Sequence, residues 1–278
     1  LDEVGEQALG GDRWSKELAA LNQQASVVLR VNRLKTNPAA LQKELSTLGI
    51  ETVKLKTYPD ALLLKQRQDV FKTPYFKKGW FEVQDASSQL VAPFLQVKPG
   101  QLVVDACAGA GGKSLHLAAL MENKGHLLAL DIYDYKLKQL KLRARRNGVH
   151  NLEPRLIQST KVIKRLHNRA DRVLIDAPCT GLGVLRRNPD AKWKLNPEFL
   201  QRVTTTQSQI LTDYSRMVKP GGKMVYATCS ILPQENEQKV QEFLQKEAGT
   251  HFILEEEKHC SPANDGFDGF YMARLSRK

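Results

Sequence analysis

Leu102-Val103-Val104-Asp105-Ala106-Cys107-Ala108-Gly109-Ala110-Gly111-Gly112-Lys113 joins an apolar, β-rich run to a glycine turn and then to a helix that opens at Lys113. Glycine lets the backbone turn tightly and come close to a ligand, while the first N–H groups of the helix point at it. The spacing is not Gly-x-Gly-x-x-Gly, which counts against a nicotinamide cofactor. Nor is it a P-loop: Gly112-Lys113-Ser114 is present, but Cys107 stands five positions before Gly112, where that motif needs glycine. Loops of this strand–glycine–helix kind serve both dinucleotide and S-adenosylmethionine sites.

Downstream, strands are predicted at His126–Asp131, Pro154–Ile157, Val173–Asp176 and Met224–Thr228, following the strand Leu102–Asp105. Helices are predicted at Lys113–Met121, Tyr135–Asn147, Pro197–Met217 and Gln234–Lys246. Strand–helix alternation of this kind predicts an α/β fold, a parallel sheet with helices on both faces. Asp131 ends the second strand, where an acid is placed to accept both ribose hydroxyls of a nucleoside cofactor or, alternatively, to cap the next helix. Upstream, residues 1–25 read as a helix around Trp14, Leu18 and Leu21. A strand at Val27–Asn32 follows, then a helix opened by Asn37-Pro38 and closed by Gly49. Short strands near Thr52–Leu55, Ala61–Leu64 and Trp80–Val83 complete a small α+β module. The boundary is expected near Gln84, giving domains 1–84 and 85–278.

The sequence has 278 residues, 41% hydrophobic and 26% charged, enough for a full core. No run approaches the roughly 20 apolar residues of a membrane span. The chain opens on Leu1 rather than Met, as a piece of a longer protein does. Its net charge is +12, and between Ile132 and Arg169 eleven Lys or Arg stand against Asp134 and Glu153. Clustered cations displace counterions from phosphates, so a nucleic acid is the expected partner.

The four cysteines, Cys107, Cys179, Cys229 and Cys260, show neither a Cys-x-x-Cys pair nor zinc-ligand spacing. No metal is expected, and the thiols read as free in a reducing cytoplasm. Cys179, in Asp176-Ala177-Pro178-Cys179-Thr180-Gly181, and Cys229, in Ala227-Thr228-Cys229-Ser230, each follow the carboxyl end of a predicted strand. That edge of an open α/β sheet is where ligands bind. Cys107 reads as packing under its loop, Cys260 as part of a polar tail, and His116 and His126 as packing residues. Trp193 lies amid Arg186, Arg187, Lys192 and Lys194, where it either stacks on a base or anchors its loop.

Asp176 through Asp190 and Thr228-Cys229-Ser230-Ile231-Leu232-Pro233-Gln234-Glu235-Asn236-Glu237 closely resemble the Sun/Fmu-type RNA cytosine-C5 methyltransferases. The likeness is nearest to the ribosomal RNA small subunit methyltransferase B group. It extends through Cys107–Lys113, Asp131 and the terminal Asp268–Leu275, and the strand Leu29-Arg30-Val31-Asn32 is similar to the family's small RNA-binding module. The resemblance implies a Rossmann-like S-adenosylmethionine (SAM)-dependent methyltransferase fold preceded by that module. It implies RNA as partner, ribosomal RNA before transfer RNA, and a cytoplasmic monomer. SAM is implied at Cys107, Ala108, Gly109, Ala110, Gly111, Gly112, Lys113, Asp131 and Asp176. Cys229 is implied as nucleophile, Cys179 as the group assisting release, and Asp176 as a base-site residue; Arg186, Arg187, Lys192 and Trp193 are expected RNA contacts. The alternative is an RNA-binding assembly factor that holds SAM. Two motifs depart from the family: the loop reads Cys-Ala-Gly-Ala-Gly-Gly-Lys where Cys-Ala-Ala-Pro-Gly-Gly-Lys is usual, and Gln158-Ser159-Thr160 replaces an acidic residue. The helical antitermination-factor-like domain that many members carry at the amino end is not in this sequence.

Overall fold

The amino-terminal segment, expected as one helix, is two in the computed structural model, which describes residues 1–278: α1 (Asp2–Leu9) and α2 (Gly11–Leu21). Gly10 separates them at φ +79, a conformation that side chains disfavour. Trp14 of α2 lies so close to α1 that a Cβ on Gly5 would sit 2.3 Å from its ring. These helices pack with Ser159–Lys278 as one unit, and Ser26–Gln158 forms the other.

Within Ser26–Gln158, β1 (Val28–Val31), α3 (Pro38–Thr47), β2 (Thr52–Leu55), β3 (Tyr58–Leu64), α4 (Pro74–Lys77) and β4 (Phe81–Val83) build the small α+β module. The Asn37 side chain caps α3 by accepting from Ala40 N at 3.0 Å, and Pro38 supplies its first turn. The four strands pair antiparallel in the order β2-β3-β1-β4. Leu29, Val31, Leu41, Leu45, Leu62 and Phe81 form their core. Next comes α5 (Ala86–Phe94), a helix that no pattern in the sequence announces. It is buried on nearly every side and carries Pro93, so it shows no one-sided apolar stripe.

The alternation then proceeds as read, with β5 (Leu102–Asp105) and β6 (His126–Asp131) matching the expected ranges residue for residue. Between and after them lie α6 (Gly112–Leu120), α7 (Asp134–Asn147) and β7 (Leu152–Leu156). β5, β6 and β7 are parallel.

His116 of α6 is 2% exposed, as the packing reading expected, and its Nε2 lies 3.3 Å from Asp60 Oδ2 on β3. Burial pushes its pKa down to about 4, against the pull of Asp60, so the imidazole is neutral at pH 7 and donates Nε2–H to the carboxylate. The unfolded chain takes up this proton near pH 6.5, whereas the folded chain resists it until about pH 4. The resulting stability is fully present above pH 6.5 and lost as pH falls toward 4, on the order of 3 kcal/mol in all. Urea unfolding at pH 7 and pH 4.5 is therefore expected to show a larger loss for wild type than for His116→Gln, which does not titrate. Equal losses would remove His116 from the acid sensitivity.

In the other unit, α8 (Thr160–Lys164), β8 (Ala170–Asp176), α9 (Pro197–Ser215), β9 (Val218–Thr228) and α10 (Glu237–Gln245) continue the pattern. The last elements are β10 (Phe252–Cys260), α11 (Pro262–Asp265) and β11 (Phe270–Arg277). The whole Rossmann-like sheet has seven strands in the order β10-β11-β9-β8-β5-β6-β7. It is not wholly parallel as expected: β8 and β9 are parallel, but β11 pairs antiparallel with both β9 and β10. Cys260 likewise does not sit in a polar tail; it ends β10, 4% exposed and opposite Phe270. The run Glu255-Glu256-Glu257-Lys258 hid this strand. β10 lies at the sheet edge, where charged side chains point to solvent and deter further pairing. No helix is long and apolar enough to cross a membrane.

Candidate active site

The glycine loop leaves β5 at Asp105, whose Oδ2 accepts from Ser114 Oγ at 2.6 Å and so ties the strand end to the first turn of α6. Gly109 and Gly111 adopt φ +54 and +88. A Cβ on Gly111 would meet the Leu140 side chain at 2.7 Å, because α7 packs directly beneath the turn. Nothing lies within 4 Å of a Cβ placed on Gly109 or Gly112, so this face of the loop is open. No side chain caps α6. Asp131 is 7% exposed, and both its oxygens accept backbone N–H groups at 2.8 Å, Oδ2 from Gly109 and Oδ1 from Tyr133. Each carboxylate oxygen keeps a second lone pair. Asp131 therefore fixes the loop and retains acceptor capacity for a ribose. A turn open at Gly109 and Gly112, with a helix N-terminus and an acid beside it, fits a nucleoside cofactor. Cys107, Ala110 and Lys113 are half-buried along it, while Ala108 is buried.

In the other unit, Asp176 ends β8, half-buried, and Cys179 follows three residues later. Cys229 follows the end of β9. Their Sγ atoms are 3.3 Å apart, too far for a disulfide and close enough for an S–H···S hydrogen bond. That bond, then burial, then the neighbouring charges of Cys229 and Glu235, push the Cys179 thiol well above its ordinary pKa. Cys179 therefore stays protonated, and its S–H is available to the Cys229 sulfur.

Glu235 lies within the Thr228–Glu237 motif, and nothing in the sequence alone marks it for a role. The structure buries it completely between the two cysteine loops. Its Oε2 accepts from Thr180 N at 2.8 Å and Gln207 Nε2 at 3.0 Å; its Oε1 accepts from the hydroxyls of Thr180 and Ser230. Thr180 follows Cys179 and Ser230 follows Cys229, so one carboxylate holds both loops. Gln207 also donates to Pro178 O at 3.0 Å, and Asn236 grips Thr228 Oγ1 and Ser230 O on either side of Cys229. Glu235→Gln turns an acceptor into a donor facing donors, which is expected to cost about 2–3 kcal/mol of unfolding free energy in urea. Loosening the thiols by even 1 Å is expected to lower turnover by roughly 100-fold. Unchanged turnover would show that the clamp does not set the thiol geometry.

The expected RNA contacts divide. Arg186 Nε and Arg187 Nε donate to Asp268 at 2.8 and 2.5 Å, and the Arg186 side chain is only 4% exposed. Arg186 joins two loops of the fold, so it is not an exposed cation awaiting phosphate. Trp193 is 79% exposed, with Lys192 Nζ 5.0 Å from its ring, and does not anchor its loop. On the basic helix α7, Lys138, Lys141 and Arg145 are exposed, while Arg143 and Arg146 turn inward to Glu82. His126 is exposed beside Glu153 rather than packed.

Residues 92–276 match the family described as 16S rRNA methyltransferase RsmB/F, and residues 5–71 match the RsmF/B-like ferredoxin-like domain. The chain belongs to the RsmB/F family. It is 32% identical to the probable ribosomal RNA small subunit methyltransferase B of Synechocystis sp., over 100% of this chain and 66% of that protein. It is 37% identical to ribosomal RNA small subunit methyltransferase B of Yersinia enterocolitica, over 96% of this chain and 63% of the relative. The crystal structure of a methyltransferase homologue from Pyrococcus horikoshii superposes with a TM-score of 0.88 at 26% identity, covering 99% of this chain and 94% of its own. This RsmB/F chain thus spans just under two thirds of the length of these two curated relatives.

Proposed function

We propose that the protein transfers a methyl group from SAM to C5 of a cytosine in RNA, with small-subunit ribosomal RNA as the substrate. The observation that carries this reading is the pair of thiols 3.3 Å apart with one buried carboxylate holding both loops. When bound along Cys107–Lys113 and against Asp131, the cofactor supplies an electrophilic methyl group. Cytosine C5 is too weak a nucleophile to take it unaided. Cys229 Sγ, as thiolate, adds to C6 and places electron density on C5. Asp176 at the end of β8 hydrogen-bonds the base ring near N3. After methylation the C5 proton leaves, the C5–C6 double bond re-forms, and Cys229 departs as thiolate.

Cys179 serves this last stage. Its high pKa arises first from the Cys229 contact. Once Cys229 Sγ is bonded to carbon, that hydrogen bond and charge vanish, and Cys179 gives up its own proton to solvent more readily, against the remaining push of burial and Glu235. As thiolate it accepts the C5 proton. Pro178 fixes φ just before Cys179 and stiffens this loop. A base undergoing such chemistry leaves its stack, and exposed Trp193 and Lys192 offer an aromatic face and a cation for single-stranded RNA. The division at Gln84, with 1–84 as RNA-binding module and 85–278 as catalytic domain, belongs to the same reading.

Incubation with methyl-labelled SAM and unmodified RNA tests it. The label is expected in 5-methylcytosine of small-subunit ribosomal RNA. Label in transfer RNA alone would move the substrate, and binding of RNA and SAM without transfer would favour the assembly-factor reading.

A further inference from the structure

We infer that Arg143 is a positioning residue through which the four-stranded sheet sets the shape of the cofactor loop. The inference rests on the reading that Cys107–Lys113 holds SAM. Arg143 lies on α7, and its guanidinium forks: Nη1 donates to Ala110 O at 2.7 Å and Nη2 to Glu82 Oε2 at 2.9 Å. Glu82 belongs to β4 of the small sheet and is 3% exposed. It also accepts from Arg146 Nη2 and, at 2.5 Å, from Asn147 Nδ2. Burial alone would raise the Glu82 pKa, but the Arg143 and Arg146 cations and the Asn147 amide outweigh it and hold the carboxylate ionised.

A second tie runs the same way. Arg30 of β1, buried, donates through Nη1 to Gly112 O and to Gln84 Oε1. Two carbonyls of the glycine loop, Ala110 and Gly112, are thus held by guanidinium groups whose other contacts lie on or beside the small sheet. A trans peptide unit is planar, so a carbonyl held on one side aims the following N–H to the other. Holding Gly112 O therefore directs the Lys113 N–H, and holding Ala110 O fixes the turn made by Gly111 N and Ala108 O at 2.9 Å. Lysine cannot replace Arg143 here, because a single ammonium lacks the planar fork that reaches both acceptors at fixed angles.

The test uses Arg143→Lys in the full chain. Calorimetric titration with S-adenosylhomocysteine is expected to show affinity about tenfold weaker than wild type, the worth of one such hydrogen bond. Amides of residues 108–113 are expected to exchange faster in the ligand-free variant. In turnover, KM for SAM is expected to rise with kcat at saturation unchanged, a split that general destabilisation would not give. Should Arg143→Lys fail to fold, Glu82→Gln, which keeps the shape but removes the charge, carries the same measurements. Wild-type affinity together with wild-type exchange in the folded variant would overturn the inference. If wild type itself does not bind S-adenosylhomocysteine, the cofactor reading fails, while the exchange of 108–113 still decides whether Arg143 holds the loop.

Discussion

Cys229→Ala is expected to lose methyl transfer by at least about 10⁴-fold, the scale on which a removed covalent nucleophile is felt. The loss follows from the proposed order of events, in which C5 gains the electron density it needs only through the Cys229–C6 bond. Binding of S-adenosylhomocysteine is expected to survive, because Cys229 lies beyond the end of β9 and the glycine loop and Asp131 are built from other elements. The fold is expected to survive too, since Ser230 and Thr228 keep their bonds to Glu235 and Asn236 without the thiol. Turnover near wild type in Cys229→Ala would rule out attack by that residue.

Cys179→Ala is expected to behave differently: rather than a silent enzyme, it gives a protein–RNA adduct that survives denaturing electrophoresis. On the proposed mechanism, addition at C6 uses Cys229 and Asp176, both intact in this variant, so it is expected to proceed. Release needs a base for the C5 proton, and the titratable group 3.3 Å from Cys229 Sγ is gone. Steady-state turnover is expected to fall by about 10²–10⁴-fold, the usual contribution of general base catalysis. The adduct is expected to form with SAM present and to be absent from the double variant lacking both thiols. Free product at the wild-type rate would remove Cys179 from the release step.

Much of this was legible in the sequence because local chemistry matched the global fold. The runs Leu102–Asp105 and His126–Asp131 are short, apolar and bounded by acids and turns, so their ends could be read to the residue. The pairing of Cys179 with Cys229 followed from both sitting just past strand ends. What stayed hidden was non-local or of mixed pattern. β10 carries four successive charged residues because an edge strand exposes them, and no alternation of hydrophobic residues announces it. α5 is buried almost all round, which erases the helical stripe. Arg186 looked like an RNA contact because sequence alone cannot show that Asp268, far along the chain, neutralises it. Glu235 was visible as a letter in a motif, but its position between two loops that meet only in the folded chain was not.

The central claim, that Cys229 is the attacking thiol, is tested most directly with the wild-type protein and an RNA carrying 5-fluorocytidine at the target. Fluorine at C5 cannot leave as a proton does, so the covalent intermediate accumulates once the methyl group has been transferred. After digestion with nuclease and trypsin, mass spectrometry reads which peptide bears the nucleotide. The predicted result is methylated fluorocytidine on Met224–Lys239, the peptide holding Cys229. Modification of the peptide holding Cys179 instead, or turnover without any adduct, would contradict it.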